Sequence, residues 1–193
     1  MNTDKQIIGI DIDGIYARLG KVSGQELKSF HQYKISSAAS QDKIIKELIM
    51  HIEAIFGPQV AGIGIGVPSI VDVQKGIVYE VTRIPSWKEV HLKDILHKHF
   101  NVPVYVNNDA NCFAAGEKHF GSGKKYTNIV GLILGEGMGA GIIIENKLYS
   151  GTNCGVGEFG KMPYRDHDFE YYCSNQYFRN VVQQPARIRL SKS

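Results

Sequence analysis

The sequence is poor in the features that mark specialised classes of protein. No apolar run approaches the ~18 residues of a membrane-spanning helix. The opening residues MNTDKQ are polar and predict no secretory leader. Cysteine is scarce: Cys112, Cys154 and Cys173 are odd in number and far apart. That pattern argues against a disulfide framework and fits reduced thiols in a cytoplasmic protein. Charge of one sign is not in excess either, since 22 Lys and Arg against 19 Asp and Glu leave a formal net charge of +3 without a basic block. Neither nucleic acid nor an anionic membrane is therefore indicated as a partner. His167 and Cys173, with Asp166 or Asp168, match no usual zinc spacing and supply too few ligands, so no zinc is expected.

What is present is an ordinary globular composition, 43% hydrophobic over 193 residues, enough for one large domain or two small ones. QIIGIDIDG reads as an apolar strand ending in acidic and glycine residues, followed by strands YARLGKV and ELKSFHQYKI. SQDKIIKELIMHIEAIF has helical apolar spacing, with Ser40 as predicted N-cap and Gly57-Pro58 as the stop. VAGIGIGVPS and VPVYVNNDA read as buried strands, and HLKDILHKHF and DANCFAAGEKHF as helices. TNIVGLILGEG, GMGAGIIIEN and KLYSG then repeat the opening pattern of apolar strand, glycine turn, apolar strand. The expectation is an α/β protein of two related lobes, residues 1–120 and 121–193, with the second incomplete. A last helix is placed near Gln176–Val182, with frayed residues after it. The aromatic residues Phe169, Tyr171, Tyr172, Tyr177 and Phe178 read as packing.

Two glycine turns could together cradle phosphate, because backbone N–H groups point at an anion and glycine allows close approach. Asp11, at the end of the first strand, could hold Mg²⁺ through water. A tight hairpin requires the same glycines for its own geometry. NNDAN, residues 107–111, lies where a strand passes into a helix, the usual place for ligands in such folds. Its Asn and Asp could equally cap the helix. Asn108, Asp109 and Glu158 would grip a sugar's hydroxyls if their loops converge, with Gly66 and Pro68 of GVPS lining the same cleft. Asp109 could then take a proton from a substrate hydroxyl.

Three longer runs carry a family resemblance: GIGIGVPSIVDVQKGIVY with IPSWKEVHL, VYVNNDANCFAAGE, and LGEGMGAGIIIENKLYSGTNCGVGEFG. From about Gln6 to Phe178 the chain resembles the ROK family, whose name joins repressors, open reading frames and kinases. The resemblance implies the actin-like, hexokinase-like fold of ribonuclease H-like lobes. It implies an MgATP-dependent sugar kinase acting on glucose or an N-acetylhexosamine. By position Asp109 matches the catalytic base, Asn108 and Glu158 the sugar contacts, Asp11 and Gly14 the first phosphate motif, and Gly135 and Gly137 the second.

The departures lie in the phosphate motifs. Asp-x-Gly-Gly-Thr has become Asp11-Ile12-Asp13-Gly14-Ile15, and Gly-Thr-Gly has become Gly135-Glu136-Gly137. A carboxylate ~4 Å from a phosphate oxygen costs roughly a thousandfold in affinity at an effective dielectric near 20. Lys161 replaces the family histidine, the zinc-binding cysteine run is absent, and few residues remain for the helices that complete the nucleotide pocket. The alternative to an active kinase is therefore a sugar-binding relative without kinase activity. A regulator of the family would carry a helix-turn-helix before the first strand, and that strand begins near Gln6. Exposed edges of a short second lobe predict a homodimer.

Overall fold

The computed structural model describes residues 5–81, 83–151 and 155–183. Cys154 and the expected frayed end lie outside these residues. The first sheet begins with an antiparallel meander, β1 Gln6–Ile12, β2 Tyr16–Ser23 and β3 Glu26–Lys34. β4 Val60–Val67 and β8 Val104–Asn108 then add parallel to β1, giving the order β3-β2-β1-β4-β8. Parallel neighbours need crossovers. α1 Gln41–Glu53 lies in the connection from β3 to β4, and α2 Leu92–Phe100 in that from β4 to β8.

Helix periodicity was legible. α1 buries Ile44, Ile45, Leu48 and Ile52, and α2 buries Leu92, Leu96 and Phe100. The ends differ from expectation. Ser40 is the N-cap of α1, but its side chain makes no capping bond; its carbonyl accepts from Lys43 and Ile44. The helix closes at Ala54, before Gly57-Pro58. Between β4 and α2 the chain also builds a small antiparallel sheet that the sequence reading did not resolve into strands: β5 Ile70–Asp72, β6 Ile77–Tyr79 and β7 Glu89–Val90. Strands of two or three residues are too short to show alternation.

The hydrophobic core belongs to this first part. The core cluster runs from Ile8 to Val106 and includes fully buried Trp87, Leu48 and Ile63. α3 Asp109–His119 leaves β8 and covers one face of a second meander, β9 Ile129–Leu134, β10 Met138–Ile144 and β11 Lys147–Leu148. The contact is close because glycines face the helix. A Cβ on Gly141 would come within 2.7 Å of Ala114 Cβ, and one on Gly139 within 3.1 Å of Ala110 Cβ. Val130, Leu132 and Leu134 alternate along β9 on the other face and are exposed.

The remaining elements are short 3-10 helices at Ser122–Lys125 and Phe159–Lys161, a β12–β13 hairpin (Pro163–Tyr164 with His167–Asp168), α4 Phe169–Cys173 and α5 Asn175–Gln183. The aromatic residues here pack on one another: Tyr164 stacks on Phe169, and Tyr172 lies 5.9 Å from Tyr177 between ring centres. Among the described residues no helix is long and apolar enough to cross a membrane.

Candidate functional site

Strand register assembles the centre of the site. Asp11 of β1 lies opposite Gly66 of β4, and Gly66 lies opposite Asn107 of β8. The carboxyl ends of three parallel strands thus meet in one row, the place where ligands bind in open α/β sheets. Gly66 lies against the start of α3: a Cβ there would be in ordinary contact, 3.5 Å from Asp109 Cα and 3.4 Å from Cys112 Sγ.

Asn108 caps α3, its Oδ1 accepting from Ala110 N at 2.9 Å and Asn111 N at 3.2 Å. Its Nδ2 donates to Ser69 O at 3.3 Å, which brings the loop carrying Pro68 over the same strand end. The capping role allowed by the sequence is therefore real, and it occupies the residue's oxygen. Asp109 opens the helix and is half-buried. Burial holds its carboxyl above the usual range; the Ala110 N–H at 2.8 Å opposes this, and the Asp11 and Glu158 charges add to the rise. Asp11, Asp109 and Glu158 thus share one electrostatic neighbourhood, although Glu158 itself is exposed on its turn. Cys112 as a residue is exposed, yet its sulfur is turned toward Gly66; burial, then Asp109 and Asp11, push the thiol up to about 11. It is a neutral thiol at physiological pH.

The first glycine turn is occupied from within. Asp13 Oδ1 accepts from Ile15 N at 2.8 Å and Tyr16 N at 2.7 Å, the donors a phosphate would need. Arg18 joins both acids of the turn, Nη2 to Asp13 at 2.7 Å and Nη1 to Asp11 at 2.8 Å. Burial works to raise the Asp13 carboxyl, but the two backbone N–H groups and Arg18 hold it below the usual range. Asp11 is thus an ion-pair partner of its cross-strand neighbour. Gly14 has φ +83°, and a Cβ there would come within 2.7 Å of Arg83 Cβ.

The second turn is equally engaged. Gly135 N donates to Gly137 O at 3.0 Å, and Gly135 O accepts from Asn175 N at 2.7 Å. Glu170 lies against Gly137, its Oε2 accepting from Met138 N at 3.0 Å and its Oε1 from Lys161 Nζ at 2.6 Å. Glu136 is bound by Arg179, Asn175 and Arg83, which together hold its carboxyl down at about 2. Sequence reasoning missed Glu170, Arg83 and Arg179, because their partners are distant in sequence. Lys161 gave the one available signal, as a cation in need of an acid.

These residues do not fit a nucleoside triphosphate. Donors in the first turn are held by Asp13, and the Met138 N–H of the second is held by Glu170, so a negative charge already sits on the backbone N–H groups of each turn. Among the described residues no group of three His, Cys, Asp or Glu side chains could hold a metal ion. A cavity of about 340 Å³ adjoins the second turn, lined by Lys161, Pro163, His167, Glu170, Tyr171 and Gln176 among others.

Comparison with known proteins agrees with this architecture. The ROK family model matches residues 7–177. The xylose repressor of Caldicellulosiruptor bescii is 36% identical over 178 residues, covering 88% of this chain and 44% of that protein. The glucokinase of Thermotoga maritima is 34% identical over 154 residues, 79% of this chain and 48% of the enzyme. The crystal structure of a ROK family glucokinase from Streptomyces griseus, in complex with glucose and AMPPNP, superposes with a TM-score of 0.80 at 29% identity, over 93% of this chain and 60% of that one. The chain thus spans about half the length of the curated relatives it matches. Its fold is the actin-like, hexokinase-like fold of these sugar kinases, and the chain belongs to the ROK family.

Proposed function

We propose that this chain binds a sugar at the Asn108–Asp109 strand end and does not transfer phosphate. The observation that carries this reading is the internal occupation of both glycine turns, by Asp13 in one and by Glu170 in the other. Asp109 and Glu158 supply acceptors for hydroxyl groups and Asn108 a side-chain N–H, its oxygen being held by the helix cap, with Gly66 and Pro68 shaping the wall. The ligand class is a neutral monosaccharide: a hexose, an N-acetylhexosamine or, given relatives named xylose repressor, a pentose. We assign the turn near residue 121 as the boundary between two lobes, and the exposed apolar row on β9 as the face through which copies associate.

One observation favours the second reading, an ATP-dependent sugar kinase. Asp109 sits at a strand end with its carboxyl raised by burial, as a general base requires. One experiment separates the two. Sugar binding is measured by calorimetry across a panel of hexoses, N-acetylhexosamines and pentoses, and ADP release is measured with MgATP and each binding sugar, using Asp109→Asn as control. Sugar binding without ADP release is the expected result. Sugar-dependent release abolished in Asp109→Asn would establish the kinase instead, and binding of no sugar would defeat both. Light scattering on the same samples tests for the homodimer.

A further inference from the structure

Glu136 is held from three directions. Arg83, between β6 and β7, donates from Nη2 at 2.5 Å. Arg179 of α5 donates from Nη1 to Oε1 at 2.9 Å and from Nη2 to Oε2 at 2.7 Å. Asn175 Nδ2 reaches Oε1 at 3.3 Å, and Gln176 Nε2 donates to the Glu136 carbonyl at 3.1 Å. Arg83 also packs on Gly14. Its side chain therefore starts on the first glycine turn and ends at the second. One carboxylate joins the β6–β7 loop, the β9–β10 turn and the last described helix.

The charge count is uneven: two guanidiniums share one carboxylate. Without that carboxylate, two like charges would face each other and repel, and the site would favour an external anion. Paired oxygens at hydrogen-bond distance from forked guanidiniums are also what a phosphate group offers.

We propose that Glu136 is a tethered counter-ion that latches the cleft shut by drawing Arg83 and Arg179 together between the two glycine turns, and that free polyphosphate anions compete with it for the same guanidiniums. The tether gives the carboxylate a high effective concentration, on the order of millimolar or above, so wild-type protein resists displacement. The latch is independent of whether a sugar binds. The polyphosphate chemistry has two sources, inorganic chains and the tail of a nucleotide.

The test uses the full chain at low salt. Tripolyphosphate and, separately, MgATP are titrated by calorimetry into wild type, Glu136→Gln and Glu136→Thr, each with and without Arg83→Met or Arg179→Met. Hydrogen exchange is followed at residues 83–84 and 175–180. Glu136→Gln is expected to bind tripolyphosphate at least about tenfold more tightly than wild type, the gain disappearing with either arginine. Exchange at both segments rises several-fold in Glu136→Gln and falls again when tripolyphosphate is added. Glu136→Thr stands in if the glutamine variant does not fold. Wild-type exchange at the same segments must also rise with salt, which weakens exposed ion pairs and needs no variant. The proposal is overturned by equal tripolyphosphate affinity in wild type and variant, by a gain that survives loss of the arginines, by a gain confined to MgATP, or by wild-type exchange indifferent to salt. Sugar titrations on the same samples report separately on sugar binding.

Discussion

At the β1–β2 turn the carboxylate of Asp13 folds back on its own loop, accepting from residues two and three positions ahead and pairing with Arg18 five positions on. At the β9–β10 turn Glu136 points away from its loop and finds partners 43 and 53 positions distant. Both turns carry an acid where a phosphate loop should have none. The first neutralises it locally, so its arrangement forms as soon as the hairpin does. The second depends on the folded chain, so its arrangement reports on how the sheet regions and α5 are assembled. The Asp13 side chain is short enough to curl back onto its own amides. Asp does so; Glu, a methylene longer, reaches across.

The comparison breaks most severely when the glycine framework beneath the second turn is disturbed. Gly141→Val would drive a side chain into α3 and is expected to destabilise the fold by about 3 kcal/mol in urea unfolding. Gly135→Ala, where nothing lies within 4 Å of an added Cβ, should change the midpoint little. Equal effects at the two positions would show that α3 does not press on β10.

The local arrangement is tested by Asp13→Ala. It strands two backbone N–H groups and Arg18, and the expected loss is about 1 kcal/mol, discounted for exposure. The folded carboxyl lies below its unfolded value, so its contribution is present above the usual carboxylate range and is lost as pH falls through the folded value. Thermal melts of the two proteins should therefore converge in acid. A constant gap at all pH values would contradict the assignment.

The smallest effect carries the opposite sign. Asp109 has its carboxyl raised in the fold, so its ionised form opposes folding above that value, and the penalty fades as pH falls. Asp109→Asn should raise the melting temperature at neutral pH by on the order of 2 °C, and the gain should shrink in acid. A loss of stability at neutral pH would mean that the carboxylate is better satisfied than its surroundings indicate.

Much of the fold was legible because long elements declare themselves. QIIGIDI alternates, KIIKELIMHI repeats at helical spacing, and NNDAN marks the strand-to-helix passage at Asn108–Asp109. The β5–β7 sheet, β12–β13 and α4 were not, since two to five residues carry too little pattern. In the candidate site Asp11, Gly66, Asn108 and Asp109 could be placed together, because parallel strand ends converge in register. The partners Arg83, Glu170 and Arg179 could not, because an exposed arginine or glutamate in sequence does not name its counter-ion. The glycine run was ambiguous for another reason: close backbone approach to an anion and close approach to a helix demand the same residue.

That shared demand bears on inheritance. Gly139 and Gly141 answer to Ala110 and Ala114 of α3. A lineage that abandoned phosphoryl transfer would still be obliged to keep them, and selection on folding alone would preserve the spacing that selection on turnover first established. Glycine spacing in such chains is therefore an unreliable guide to activity; the residues between the glycines are free of that obligation.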